Sequence, residues 1–307
     1  MKVGFIGLGM MGGGMSLNIR KGGFDMVVYD LRRELGERQV AAGAVWAESL
    51  REVAECDVVF TSLPGPPEVE KVALGEDGLL AGMRRGSAWF DLSTNSPTLV
   101  RRLHAQFAAK GIAMFDAPVS GGPRGANSGK LAVWIGGDRA VFDRHKKVFE
   151  SFADQARYIG PIGAGSVAKL VHNMAGYAIQ TALAEVFTLG VKAGVDPLPL
   201  WEAVRQGAMG RTRTFDRLGD QFLTGQFDQP SFALRLAHKD VSLATELGRE
   251  MKVPMRIANL VYAEMTEALN RGWGERDSRS PMLLQEERAG VHIAVPADKI
   301  KQALERD

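Results

Sequence analysis

Cysteine is almost absent from this 307-residue chain. Cys56 stands alone, so no intrachain disulfide can form, and a reducing compartment is expected. It precedes Asp57-Val-Val-Phe60 at a strand edge with no conspicuous activating base, which suits a small core residue better than a nucleophile. Histidine is scarce, and no two of the five stand at a metal-ligand spacing such as His-x-x-x-His, so no metal is expected. Charge of one sign is lacking as well. The 38 basic and 36 acidic residues leave a formal +2, which offers no attraction for nucleic acid or an anionic membrane. No apolar run reaches the ~20 residues that span a bilayer, and Met1 leads into a strand pattern with no secretory signal before it. A soluble, cytoplasmic protein without nucleic-acid or membrane partners is expected.

What is present is an ordinary globular composition, 45% hydrophobic and 24% charged, long enough at ~150 residues per domain for two domains. Short apolar runs at Lys2–Gly7, Met26–Asp30, Asp57–Ser62, Ala88–Leu92 and Ile112–Asp116 alternate with amphipathic helical patterns. Another strand, Leu131–Gly136, follows a Gly/Pro-rich loop, with a helix over 138–153 and a short strand near Arg157–Ile159 to finish the unit. Such alternation predicts a mostly parallel sheet covered on both faces. After Gly160-Pro-Ile-Gly-Ala-Gly165 helical periodicity takes over. One long helix is expected over 166–193, N-capped by Ser166 and bounded by Gly194 and Pro197, followed by helices at 197–206, 240–251 and 254–271. The division is therefore an α/β domain over 1–162 and an all-helical domain over 163–307. The charged tail, 275–307, is expected to be partly extended or mobile.

Chemistry concentrates in three places. The first is Phe5-Ile-Gly7-Leu8-Gly9-Met10-Met11-Gly12, a G-x-G-x-x-G pattern between a strand and a helix. Gly7 permits a tight turn, Gly9 lets backbone approach a pyrophosphate, and Gly12 lets the helix pack close to the strand, with its N-terminus toward the anion. Asp30 ends the second strand where an acid can bind ribose hydroxyls, which favours NAD over NADP. Arg32 and Arg33 follow it; either could neutralise a 2′-phosphate, or both could open a solvated surface helix, so NADP stays possible. A Rossmann-type, doubly wound domain is the fold this loop implies.

The second place is Gly163-Ala-Gly-Ser-Val-Ala-Lys169-Leu-Val-His172-Asn173, which sets a lysine and an asparagine one helical turn apart on one face. Most helical lysines are simply solvated. A partly buried one whose pKa is lowered can move the proton that accompanies hydride transfer and stabilise oxyanion charge. The third is Ser120-Gly121-Gly122, after a strand, where exposed backbone N–H groups can hold a carboxylate; a plain chain reversal is the alternative.

These blocks resemble the β-hydroxyacid dehydrogenases, a family that includes 3-hydroxyisobutyrate dehydrogenase and tartronate semialdehyde reductase. The resemblance rests on four blocks in the family's order: Phe5 to Asn18, Asp116-Ala-Pro-Val-Ser-Gly-Gly122, Gly163 to Asn173, and Lys239-Asp240. It implies that Lys169 is the catalytic acid/base and that Asn173 orients lysine or substrate. Ser120, Gly121 and Gly122 would bind the substrate carboxylate, with Asp240 near that pocket. Cofactor contacts would come from residues 7–12, Asp30, Leu63, Pro64, Thr94 and Lys239. Family members assemble as homodimers or homotetramers.

The activity so implied is hydride transfer between NAD(P) and a short 3-hydroxyacid. Arg124, Arg211 and Arg213 are candidates to clamp a second anionic group on the substrate, or are surface charge. A decarboxylating or anionic-substrate relative is the alternative on the same scaffold. A silent cofactor-binding protein would lack the lysine, the asparagine or the carboxylate loop, and all three are present. His238 and Phe232 could line the cofactor site; core packing explains Phe232 equally well.

Overall fold

In the computed structural model the short apolar runs of the first half become strands, the central ones buried on both faces. The structure describes residues 1–211, 221–230, 233–235, 237–238, 241, 245, 249, 252–290, 292 and 294–304. Two compact units are present, Met1–Ala175 and Gly176–Asp307.

The first unit holds β1 (Lys2–Ile6), β2 (Asp25–Tyr29), β3 (Val45–Trp46), β4 (Val58–Thr61), β5 (Ala88–Asp91), β6 (Ala113–Asp116), β7 (Val119–Ser120), β8 (Leu131–Gly136) and β9 (Ala153–Gly160). Its helices are α1 (Gly12–Lys21), α2 (Glu37–Ala41), α3 (Leu50–Ala54), α4 (Pro66–Leu74), α5 (Leu79–Gly82), α6 (Pro97–Ala109), α7 (Gly122–Ser128) and α8 (Arg139–Phe149), and α9 (Ala164–Lys192) begins in it. Six strands run parallel in the order β3-β2-β1-β4-β5-β6; β8 follows, antiparallel to β6 and β7, with β9 parallel to β8. This is the doubly wound, mostly parallel sheet the alternation predicts.

Its two faces carry separate cores. Phe5, Phe60, Phe90 and Phe115 are register partners on β1, β4, β5 and β6 and stack across one face, with neighbouring centroids 6.4, 5.3 and 4.2 Å apart. Their chain neighbours Ile6, Val59, Trp89 and Met114 point to the other face and pack with Val53, Val69, Leu103 and Phe107. Alternation in the strands thus builds two cores from one sheet. Cys56 lies in the second, where burial pushes its thiol up to about 11.

Some boundaries depart from expectation. The helix expected over 138–153 stops at Phe149, and the last strand is eight residues, Ala153–Gly160, because it follows β8 along its whole length. α9 begins at Ala164, so Ser166 lies inside its first turn and is not its N-cap.

In the second unit, helices cover Pro197–Gln206, Ala208–Arg211, Arg256–Asn270, Met282–Ala289 and Ala297–Leu304. The helix expected over 240–251 falls mostly outside the described residues. The charged tail, expected to be partly extended or mobile, carries helices at Met282–Ala289 and Ala297–Leu304 with non-helical chain before and between them. Leu284 fills a small core with Leu234 and Ala268, while the charges beside it face outward, Arg288 pairing with Glu264 and Glu267 and Arg271 with Glu287. Burial of one apolar stripe, rather than the exposed ion pairs, drives that helix. No helix among the described residues is long and apolar enough to cross a membrane.

Candidate active site

The carboxyl ends of four strands finish level: Ile6 pairs with Thr61, Thr61 with Asp91, and Asp91 with Asp116. Strand order reverses between β1 and β4, so the loops after these strands diverge and leave a crevice at the sheet's carboxyl edge. A cleft of about 300 Å³ opens there. Met11 lines it from the glycine loop, Ser62, Leu63 and Pro64 from the loop after β4, and Leu92, Ser93 and Thr94 from the loop after β5. Val119 to Gly122 and Lys169 complete it. All belong to the first unit.

The glycine loop has the shape its sequence predicts. Gly7 has φ +92°, and a Cβ there would lie 2.2 Å from the carbonyl oxygen of Ser62; one on Gly12 would lie 1.8 Å from that of Gly7. A Cβ on Gly9 would meet nothing within 4 Å. Gly9 therefore borders open space in front of α1, whose N-terminus has no side-chain cap. An open approach and bare backbone at a helix N-terminus suit a pyrophosphate. Asp30 Oδ2 accepts the Leu8 N–H at 2.7 Å and Oδ1 that of Arg32 at 2.9 Å, placing its carboxylate against the loop. The Leu8 side chain is core, at 3% exposure, whereas Met10 is 79% exposed.

Two buried aspartates absent from the expected site hold the other loops. Asp91 Oδ1 accepts from Thr61 Oγ1 at 2.9 Å and Ser93 N at 3.1 Å; Oδ2 accepts from Asn95 Nδ2 at 3.0 Å. Trp89 Nε1 donates to Thr61 Oγ1, and Ser93 Oγ accepts from Leu63 N at 2.9 Å. The loops carrying Leu63 and Thr94 are thereby tied to one carboxylate. Burial pushes it up, against hydrogen bonds that pull it down.

Asp116 does the same for α9. Its Oδ1 accepts from Gly163 N at 2.7 Å and its Oδ2 from Ser166 N at 2.6 Å. The helix start expected to be capped by Ser166 is capped instead by a carboxylate from β6, which also suits the helix dipole. Burial raises the Asp116 carboxyl, opposed by these two N–H groups. Gly165 lets the helix approach: a Cβ there would meet the Trp134 carbonyl oxygen at 2.2 Å.

One turn on, Lys169 Nζ donates to Val119 O at 2.8 Å and lies 6.0 Å from the centroid of the Trp134 ring. Burial pulls its pKa below the ordinary lysine value. Trp134 also lies beside His172, ring centroids 5.1 Å apart, and His172 Nδ1 is 3.2 Å from Asn173 Oδ1. Lys169 lines the cleft; Asn173 does not.

Ser120 ends β7, and Gly121 (φ +132°) and Gly122 (φ +61°) turn the chain into α7. Both conformations favour glycine. Arg124, in α7, is exposed and does not line the cleft. Arg211 donates from Nε to Gln206 O at 2.6 Å within the second unit. His238 Nε2 is 2.9 Å from Thr266 Oγ1. Arg213, Phe232, Lys239 and Asp240 lie outside the described residues. The clue to the two aspartates was the repeated Phe-Asp at the ends of adjacent strands, Phe90-Asp91 and Phe115-Asp116.

Known proteins resemble the chain along nearly its whole length. Residues 2–160 match the family described as the NAD binding domain of 6-phosphogluconate dehydrogenase. Residues 163–302 match that described as NAD-binding of NADP-dependent 3-hydroxyisobutyrate dehydrogenase. The 2-(hydroxymethyl)glutarate dehydrogenase of Eubacterium barkeri is 33% identical over 294 residues, 95% of this chain and 97% of that one. The NAD-dependent L-serine dehydrogenase of Pseudomonas aeruginosa is 33% identical over 282 residues, 90% of this chain and 95% of that one. Among solved structures, the Mycobacterium tuberculosis 3-hydroxyisobutyrate dehydrogenase with L-serine superposes with a TM-score of 0.64 at 28% identity, covering 92% of this chain and 98% of that one.

Proposed function

The chain belongs to the β-hydroxyacid dehydrogenase family of NAD(P)-dependent oxidoreductases, and on that footing we propose that it interconverts a short 3-hydroxyacid and its aldehyde or ketone, with Lys169 moving the proton. Candidate substrates are 3-hydroxyisobutyrate, glycerate and serine, which share a carboxylate two bonds from the reacting carbon. The observation that carries the reading is one cleft lined both by Lys169 and by the Ser120–Gly122 turn. Anion-holding backbone and a proton carrier thus face the same small space.

The cofactor is held by the glycine loop and α1, by Asp30 at the ribose, and by Leu63, Pro64 and Thr94 on the nicotinamide side; Asp30 favours NAD. When bound, the nicotinamide supplies the hydride acceptor. Backbone N–H groups of residues 120–122 hold the substrate carboxylate, which sets the hydroxyl toward Lys169. Neutral Lys169 accepts the hydroxyl proton as the carbon loses hydride; in reduction, protonated Lys169 returns it to the forming alkoxide. Burial, which lowers its pKa, makes the neutral form accessible nearer working pH. Asn173 orients lysine or substrate from the next turn, Lys239 and Asp240 are assigned to the cofactor and substrate by resemblance, and Arg124 is the candidate to clamp a second anionic group of the substrate. The helical region from 163 onward is assigned to substrate binding and to assembly as a homodimer or homotetramer.

Nicotinamide absorbance with a panel of 3-hydroxyacids, NAD and NADP, for wild type and Lys169→Ala, tests the proposal. Turnover lost in the variant with cofactor affinity unchanged is expected. Absence of turnover on every short 3-hydroxyacid, or full activity in Lys169→Ala, would overturn it.

A further inference from the structure

β2 has β1 on one side and β3 on the other, and the charged groups after its last residue divide between them. Asp30 turns to the β1 side, where its carboxylate accepts the Leu8 N–H of the glycine loop. Arg33 turns to the β3 side. Its guanidinium lies 5.4 Å from the centroid of the Trp46 ring, and its Nη1 lies 2.5 Å from Glu48 Oε1. Trp46 is itself anchored: it pairs with Val28 in the β2–β3 register and stacks on Tyr29, with centroids 6.1 Å apart. Tyr29, Trp46, Arg33 and Glu48 thus form one layered cluster toward the β3 edge of the sheet.

A carboxylate at the end of this strand accepts ribose hydroxyls and repels a 2′-phosphate, and a nearby arginine is what accommodates that phosphate. Two arginines follow Asp30. Arg32 is exposed, with its backbone N–H donated to Asp30 Oδ1. Arg33 has its face covered by an indole and its charge met by a carboxylate. We infer that Glu48 and Trp46 are cofactor-specificity residues: by holding Arg33 on the β3 side, they leave a 2′-phosphate to meet Asp30 with one arginine instead of two. Discrimination against the phosphorylated cofactor then depends on an ion pair outside the cofactor site as well as on Asp30. This rests on the glycine loop and Asp30 being the dinucleotide site.

The hold is modest, since both side chains of the ion pair are 67% exposed and an exposed pair changes an equilibrium by no more than about five-fold. The test is calorimetric binding of ADP-ribose and 2′-phospho-ADP-ribose at low ionic strength to wild type, Glu48→Gln, Arg33→Ala and the double variant. Glu48→Gln is expected to tighten the phosphorylated ligand about three- to five-fold and to leave ADP-ribose within about two-fold. In the Arg33→Ala background the same change is expected to do nothing. An unchanged ratio of the two affinities in Glu48→Gln overturns the inference. So does an equal gain with and without Arg33, because that gain comes from removing a negative charge and not from freeing the arginine. Failure of the underlying site reads differently: ADP-ribose would then bind Asp30→Ala as well as wild type, or not bind at all.

Discussion

Gly165→Ala sets helix propensity against tertiary packing, and the two predict opposite signs. Gly165 lies in the first turn of α9 and is not among the glycines with positive φ, so alanine suits its backbone and by propensity alone adds about 1 kcal/mol. Packing says otherwise. The new methyl would lie 2.2 Å from the Trp134 oxygen, 2.8 Å from the Asp116 oxygen and 3.1 Å from the Trp134 carbonyl carbon. Comfortable non-bonded separations begin near ~3.5 Å, so the closest contact falls short by roughly 1.3 Å. These are backbone atoms of β8 and β6 and cannot rotate aside. The start of α9 must lift instead, which stretches the bonds from Gly163 and Ser166 to the Asp116 carboxylate. Overpacking costs about 1–3 kcal/mol, and weakening hydrogen bonds to a charged acceptor adds roughly 1.5–3 kcal/mol. After the propensity gain the net loss is about 1.5–5 kcal/mol. At ~2–4 °C per kcal/mol for a unit of this size, the melting temperature drops by roughly 3–20 °C. Lys169 rides one turn further along the same helix, and a shift of about 1 Å there costs on the order of 100-fold in kcat. Calorimetric melting, ADP-ribose binding and kcat on one preparation separate the effects. A melting temperature at or above wild type refutes the close approach. A lowered one with unchanged kcat refutes the link between the Asp116 anchor and Lys169.

Three further outcomes follow from the same geometry. Gly9→Ala places its methyl in open space, so melting should match wild type within about 1 °C per few tenths of a kcal/mol, while ADP-ribose affinity falls about ten-fold or more as the methyl keeps the pyrophosphate from the backbone; equal affinity would remove Gly9 from the site. Burial lowers the Lys169 pKa, so kcat/KM for oxidation should rise, and that for reduction fall, along a limb below the ordinary lysine value near 10.5. With the folded pKa depressed, the buried charge disfavours folding below that limb and is relieved as pH climbs toward the unfolded value. Lys169→Met should therefore gain in melting temperature at neutral pH, with the gain shrinking as the medium becomes alkaline. A limb at or above the ordinary lysine value counts against the lysine as the titrating group.

Local pattern and tertiary geometry contributed differently. The strands were legible because a run buried on both faces must be apolar throughout, and Phe5, Phe60, Phe90 and Phe115 sit where register then stacks them. The glycine loop was legible because only glycine tolerates its close approaches and its φ. The helices inside the charged tail were not legible from its charge; the first of them packs Leu284 against Leu234 and Ala268. The cap of α9 was misread for a different reason. A serine beside a helix start is a local signal, whereas Asp116, which takes the Gly163 and Ser166 N–H groups, is 47 and 50 residues away. The Asp91 hub, the indole beside Lys169 and the Glu48 hold on Arg33 are of the same kind. Sequence alone determined which residues carry backbone freedom, burial and charge, because periodicity and side-chain type act within a few residues. Which carboxylate meets which N–H group, and which arginine meets Glu48, was decided only by strand order and register, which bring distant residues to one edge of the sheet.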